Sequence, residues 1–95
     1  MTAFLKREYS LSNGGNVEVN ISFPVKFGED FSSDIHIVGL GEDIRLQSLG
    51  FDTMQCVYEG MRMAGTIILE SVEFRNGMLK WDARMNDEDL GLPVY

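Results

Sequence analysis

Residues 52–73 restrict the fold of this chain more than any other segment, because they predict one helix that is apolar on more than one side. At about 100° per residue, one arc of the helix has the i, i+3, i+4, i+7 spacing of a core-facing stripe. A second arc is polar and needs no cover. The third arc is uncharged and rich in small residues, so something besides one sheet is expected to cover it. The expected core-facing stripe is Met54, Val57, Tyr58, Met61, Gly65, Ile68 and Val72, and the third arc, here called the small-residue face, is Cys56, Gly60, Met63, Ala64 and Ile67.

The small-residue face is a candidate interface with a second copy of the chain. Cys56, Gly60 and Ala64 repeat every four residues, a spacing that lets another backbone approach closely. Glycine in a helix costs about 1 kcal/mol relative to alanine, so Gly60 indicates close packing. The sequence therefore predicts a possible homodimer that forms through this face.

Alternating apolar residues predict the strands around this helix. The Ser12–Gly15 turn joins two of them into a hairpin, because asparagine and glycine tolerate positive φ. Asp52 and Gln55 together predict a capping box at the helix start. The expected fold class is α+β, an antiparallel sheet of four to five strands with one long helix on one face. The predicted segments are a hairpin over 3–24 that ends near Pro24, a loop over 28–33, strands at 35–38, 44–49 and 78–85, and a helix at about 52–73.

Length and composition predict one acidic domain over residues 1–95. The chain has no secretory leader or membrane-spanning run, and its single cysteine excludes an internal disulfide, so a cytoplasmic location is expected. The net charge of −7 disfavours direct binding to nucleic acid and favours a basic protein partner. The candidate acidic surface is Glu29, Asp30, Asp34, Asp87, Glu88 and Asp89.

Residue patterns that carry catalysis or bind cofactors are weak in this sequence. His36 is the only histidine, so a Ser-His-Asp arrangement could be built only around it, and an ordinary exposed histidine is the favoured interpretation. The segment 39–43 lacks the third glycine of a dinucleotide loop, and 87–91 lacks the length of a calcium loop. We therefore expect no enzyme activity, no cofactor and no metal ion.

The apolar run at 89–95 supplies a second possible cover for the helix. Segments of this kind are usually polar when they are not packed, so docking against the domain is expected. Either this run or a second subunit covers the back of the helix, and an arrangement shared between the two is slightly favoured. The side chains that would provide the cover are Leu90, Leu92, Val94 and Tyr95.

Several short motifs resemble those of a small bacterial domain family of unknown function. They are Gly39–Gly41, the helix start Gly50–Gln55, Leu79–Trp81 and the ending 89–94. The family has a Gly-x-Asp-x-x-Gln helix start, a Leu-x-Trp strand and an Asp-Leu-Gly-Phe-Pro-Val ending, where this chain has Leu92 in place of phenylalanine. The resemblance covers about the last 55 residues. It implies a single-domain fold and a bacterial or phage setting, without an activity or site residues.

Three classes of function remain open. The leading hypothesis is a non-enzymatic protein-binding module, such as an inhibitor or immunity-type protein that blocks a basic target. The second is a self-associating structural or accessory protein that dimerises through the small-residue face. The least favoured is a small enzyme that uses His36 with nearby carboxylates.

Overall fold

The computed structural model describes residues 4–81 and 91–93. The predicted α+β class is confirmed, since one main helix packs on a six-stranded antiparallel sheet. This is one strand more than the upper end of the prediction. The elements are β1 (Phe4–Leu11), β2 (Asn16–Ser22), β3 (Val25–Phe27), β4 (Asp30–Val38), β5 (Ile44–Gly50), α1 (Thr53–Leu69), α2 (Val72–Arg75) and β6 (Leu79–Lys80).

Strand β4 lies near the middle of the sheet and has neighbours on both sides. Ile35 pairs with Ile21 of β2 on one side and with Leu46 of β5 on the other. Ser32 likewise lies between β3 and β5. Strands β2 and β3 therefore lie end to end along one side of β4, with an interruption between them. Beyond β2 the sheet continues with β1 and then β6.

The interruption between β2 and β3 lies at Pro24. Ile21 pairs with Ile35 of β4, and Val25 pairs with Ser32. The first strand line therefore has four residue steps where β4 has three, and one extra residue on one strand is the mark of a β-bulge. The Ser22 hydroxyl accepts a hydrogen bond from the Asp34 backbone N–H at 2.8 Å and so satisfies a group beside the interruption. Pro24 has no N–H to donate, which explains why the extra residue falls here.

The prediction of a loop over 28–33 is wrong for most of that range. Only the turn at Gly28 and Glu29 is a loop, because β4 already begins at Asp30. Short β3 was not predicted at all. The buried Ser32 and Ser33 lie at the start of β4, so the strand does not show the apolar alternation that marks the others.

The core lies between the sheet and α1. The alternating residues of the hairpin and of β4 point to this side, as predicted for 3–24 and 35–38. Strand β5 occurs where it was predicted over 44–49. The buried apolar cluster consists of Tyr9, Val17, Val19, Ile21, Ile35, Ile37, Ala64, Ile68, Leu79 and Leu92.

The start of α1 follows the capping prediction. The Asp52 carboxylate accepts a hydrogen bond from the Gln55 backbone N–H at 2.7 Å. The Gln55 side-chain carbonyl accepts one from the backbone N–H of Phe51, at 2.6 Å, instead of from that of Asp52. The two bonds fix the connection between β5 and α1.

The predicted helix extends too far, because α1 ends at Leu69. The Ser71 hydroxyl donates to the Ile68 carbonyl at 2.6 Å and accepts from the Phe74 N–H at 3.1 Å. Ser71 thus caps a separate short helix, α2. A hydroxyl that satisfies backbone groups on both sides makes this break favourable.

The small-residue face of α1 packs on the sheet, so the helix is rotated from its predicted orientation. Gly65 and Ile68 of the expected core stripe are buried as predicted. Cys56, Gly60 and Ala64 are buried over β4 and β5, whereas Met54 and Tyr58 of the expected core stripe are exposed. A Cβ atom on Gly60 would lie only 3.3 Å from the Ser48 hydroxyl. Small residues are needed here because the helix backbone lies close to the strands.

A buried polar cluster joins α1 to the sheet. The Ser48 hydroxyl donates to the Cys56 carbonyl at 3.0 Å, and the Cys56 thiol donates to the Ser33 hydroxyl at 3.4 Å. All three residues are buried. Cys56 is therefore a packing and hydrogen-bonding residue within the chain.

The segment 91–93 docks against the domain, as predicted for Leu92. Leu92 is buried, and a Cβ atom on Gly65 of α1 would lie 2.8 Å from the Pro93 carbonyl oxygen. The Arg7 guanidinium donates to the Gly91 carbonyl at 3.3 Å and lies 4.0 Å from the centroid of the Trp81 ring. Leu90, Val94 and Tyr95 lie outside the described residues, as does most of the predicted strand 78–85 beyond β6.

Neither described helix has the length and apolar character that crossing a bilayer would require.

Candidate protein-binding surface

Large apolar side chains are exposed on β3 and around the connection between β5 and α1, a region here called the apolar end. It comprises Val25, Phe27, Leu49, Phe51 and Met54. Phe51 and Met54 are 80% and 82% exposed, and Leu49 is 50% exposed. Single exposed apolar residues are ordinary, but a group of them indicates an interaction surface.

Strand register places three members of the apolar end near one another. Val25 and Leu49 flank Ser32 from the two sides of β4, so all three lie on the sheet face away from α1. Phe27 follows two residues after Val25 on the same face. Phe51 continues from β5, and Met54 lies in the first turn of α1.

Carboxylates surround the apolar end. Asp30 and Glu59 line a depression of about 240 Å³ together with Leu49, Gly50 and Phe51. Glu29 and Asp52 lie in the adjoining turn and at the cap of α1. The cations at this end are Lys26, which lies 4.8 Å from the centroid of the Phe31 ring, and Arg62, which pairs with Glu59 at 2.8 Å.

The structure brings together only part of the predicted acidic surface. Glu29 and Asp30 lie at the apolar end. Asp34 lies farther along β4, about 13 Å from Asp30 at the usual rise per residue. Asp87, Glu88 and Asp89 lie outside the described residues.

The candidate interface on α1 divides into two parts. Cys56, Gly60 and Ala64 are covered by the sheet, so a second chain could contact them only if the helix were displaced. Met63 and Ile67 are half-buried and pack at the margin of the core. Only this margin remains accessible in the folded domain.

His36 lies on the sheet face away from α1, in an exposed charge cluster. Its Nε2 contacts the Asp43 carboxylate, whose other oxygen accepts from Arg45 Nε at 3.1 Å. These partners lower the pKa of Asp43, with the His36 hydrogen bond as the largest cause and Arg45 as a further one. A shallow groove of about 370 Å³ beside His36 is lined by Phe4, Lys6, Glu18, Asn20, Ser22 and Asp34.

The lowered pKa of Asp43 predicts a contribution to acid stability. Because the folded pKa lies below the unfolded value, the contribution is present above the unfolded pKa and is lost as the pH falls through the folded pKa. We expect Asp43→Asn to have a lower free energy of unfolding than the native chain at about pH 7, and we expect this difference to shrink as the pH falls to below about 4. Urea unfolding between these pH values measures the difference, with Glu42→Gln as a control for loss of one charge. If the free energies of unfolding of the native chain and Asp43→Asn differed by the same amount at every pH, the prediction would be contradicted.

Comparison with known families covers almost the whole chain. The sequence signature of one family, Domain of unknown function (DUF6968), matches residues 5–94. The chain belongs to this family. The DUF6968 match includes both the apolar end and docked Leu92, and it agrees with the resemblance to an uncharacterised domain family. No curated protein and no solved structure matches this DUF6968 member.

Sequence reasoning missed the apolar end of this DUF6968 domain. The sequence predicts Leu49 as a strand residue, Phe51 as part of the helix-start motif and Met54 as part of the core-facing stripe. The available signal was the small-residue face, since a helix that buries its small residues turns its large ones outward. That interpretation needs the distance between helix and sheet, which periodicity does not give.

Proposed function

We propose that this chain is a non-enzymatic protein-binding module that engages a basic protein through its apolar end. The supporting observation is the high exposure of Leu49, Phe51 and Met54, which lie around the connection between β5 and α1. Aromatic residues and methionine are enriched at protein interfaces, and buried anchors of this kind supply much of the binding energy. The surrounding carboxylates would form the polar rim.

The charge of the chain supports a basic partner. The net charge is −7, and at the apolar end Glu29, Asp30, Asp52 and Glu59 outnumber Lys26 and Arg62. Opposite charge speeds association and selects among partners. An inhibitor or immunity-type protein of bacterial or phage origin, which blocks a basic target, is the form of this proposal that small size and acidity favour.

The two other classes have less support. Self-association through the small-residue face would require Cys56, Gly60 and Ala64, which the sheet covers. Two copies that met at their apolar ends would bring like charges together. For an enzyme, the His36 ring contacts Asp43 at an exposed position, and no serine or cysteine among the described residues is hydrogen-bonded to it.

Loss of the apolar end should abolish partner capture. We expect Phe51→Ser combined with Met54→Ser to reduce retention of the partner from a native-host extract by about tenfold or more, since hot-spot side chains contribute about 2 kcal/mol each. Raising the salt concentration should weaken capture by the native chain. Quantitative affinity capture with immobilised chain measures both effects.

Phe4→Ser is a matched control, because Phe4 is also an exposed aromatic residue but lies on β1, which β2 and β4 separate from β5. It should capture the partner as well as the native chain does. Equal capture by the double variant would refute the proposed surface, and insensitivity to salt would remove charge as its basis. A dimer in sedimentation that dissociates in the double variant would identify a second copy as the occupant instead.

A further inference from the structure

We infer that the partner contributes an extended segment that pairs with the free edge of β5 as an additional strand. This inference rests on the proposed function and specifies how the partner is held. Within residues 4–81 and 91–93, β5 pairs with β4 alone. An open edge presents a row of backbone N–H and C=O groups that another extended chain can pair with.

The β5 edge lacks the features that usually protect an edge strand. Strand β3 is short, follows Pro24 and carries Lys26, all of which discourage pairing. Strand β5 has seven residues with neither proline nor lysine, and its register with β4 is continuous. Its one charged residue, Arg45, is held by Asp43.

The packing of α1 holds β5 in a fixed position. Ser48 is buried and donates to the Cys56 carbonyl, and Gly50 lies directly beneath the first turn of the helix. An edge that is already ordered loses little conformational entropy when a segment adds to it. The strand is therefore a preformed template.

One end of β5 meets the depression at the apolar end. Leu49, Gly50 and Phe51 form one wall, and the Asp30 and Glu59 carboxylates lie beside it. Glu59 already pairs with Arg62, whereas Asp30 has no ion pair among the described residues. This end fits an apolar side chain followed by a cation.

The other end of β5 meets a second depression, of about 350 Å³. Its apolar lining consists of Leu40, Ile44, Ile67 and Val72, and its carboxylates are those of Glu42, Glu70 and Glu73. Arg75, which is also in its lining, donates to the Glu70 backbone carbonyl at 3.0 Å. Carboxylates therefore outnumber cations at both ends of the edge.

These features define the chemistry of the partner segment. Seven strand residues span about 23 Å, so an extended segment of similar length reaches both depressions. Its inner side chains would be apolar, where half-buried Met63 and Ile67 lie beside the core. Its ends would carry lysine or arginine. The occupant is thus a basic-ended, β-forming segment of another protein.

A synthetic peptide tests the pairing directly. The probe is acetyl-Lys-Val-Thr-Val-Thr-Val-Lys-amide, titrated into the isotope-labelled full chain and followed by amide NMR and hydrogen exchange. We expect saturable shifts along β5 and at least about tenfold slower exchange of its outward amides. A peptide N-methylated at alternate positions, and one with glutamate at both ends, should each bind at least about tenfold more weakly.

Variants of the chain test the two ends. Asp30→Asn with Glu70→Gln should weaken peptide binding by about tenfold or more, because each removes a carboxylate from one depression. Glu8→Gln, on β1 and away from this edge, is the matched control and should bind normally.

Strand addition is overturned if the N-methylated peptide binds as well as its parent, if the shifts avoid β5, or if no saturation occurs at peptide concentrations of several millimolar. It is also overturned if the free chain sediments as a dimer whose outward β5 amides are already protected. The proposed function fails separately, when Phe51→Ser with Met54→Ser leaves partner capture unchanged. The two failures are therefore distinguishable.

Discussion

Gly50→Ala is expected to destabilise the domain by about 3 kcal/mol or more, although it adds a single methyl group. A Cβ atom at Gly50 would lie 2.5 Å from the Cys56 backbone nitrogen and 2.8 Å from its Cα. These are backbone atoms of the first turn of α1, so no side-chain rotation relieves the overlap. The helix would have to move away from β5 and lose its bond from Ser48 to the Cys56 carbonyl. Chemical denaturation measures the loss.

Gly15→Ala provides the matched control for Gly50→Ala. A Cβ atom at Gly15 would lie 3.3 Å from side-chain atoms of Leu11 and Asn13, and Gly15 is not in the left-handed region. Those side chains can adjust, so we expect a change within about 0.5 kcal/mol. Equal stability of Gly50→Ala and Gly15→Ala would mean that α1 does not lie as close to β5 as described.

Leu92→Ala is expected to cost about 3 kcal/mol, since truncation of a buried leucine typically costs 2–5 kcal/mol. Leu92 is 5% exposed and belongs to the core cluster with apolar residues of β1 and β2. It already borders a gap of about 240 Å³ with Leu5, Val19, Ile21 and Met61, which the substitution would enlarge. The free energy of urea unfolding measures the cost.

Val72→Ala is the comparison for Leu92→Ala. Val72 is 59% exposed, so its truncation should change stability by no more than about 0.5 kcal/mol. If Leu92→Ala were as harmless as Val72→Ala, the docking of residues 91–93 would contribute nothing to the fold. That result would favour the alternative hypothesis, in which a second subunit covers this side of the domain.

Turn residues, apolar alternation and helix caps correctly predicted the hairpin and the start of α1. The turn at Ser12–Gly15 and the alternation on either side specified the hairpin of β1 and β2. The Asp52 cap located the start of α1 within one residue. In each case the responsible interactions act over a few residues, so the sequence alone contains them.

The errors arose where distant contacts decide the structure. Periodicity placed Met54 and Tyr58 in the core because they are large and apolar, yet the short distance between α1 and the strands selects Cys56, Gly60 and Ala64 instead. The buried serines of β4 were misread for a similar reason, since Ser33 is satisfied by a thiol 23 residues away. The candidate surface was missed for the same reason, because a helix that buries its small residues exposes its large ones.

The bond from Arg7 to the Gly91 carbonyl joins residues separated by 84 positions, and β1 also pairs with β6. The N-terminal hairpin therefore cannot complete its apolar contacts until almost the whole chain has collapsed. Domains with such distant pairings fold in about milliseconds to seconds, far more slowly than helical bundles of similar size. Throughout that interval the hairpin and the β5 edge stay open to intermolecular pairing, so the same geometry that suits partner recognition makes refolding yield depend on protein concentration.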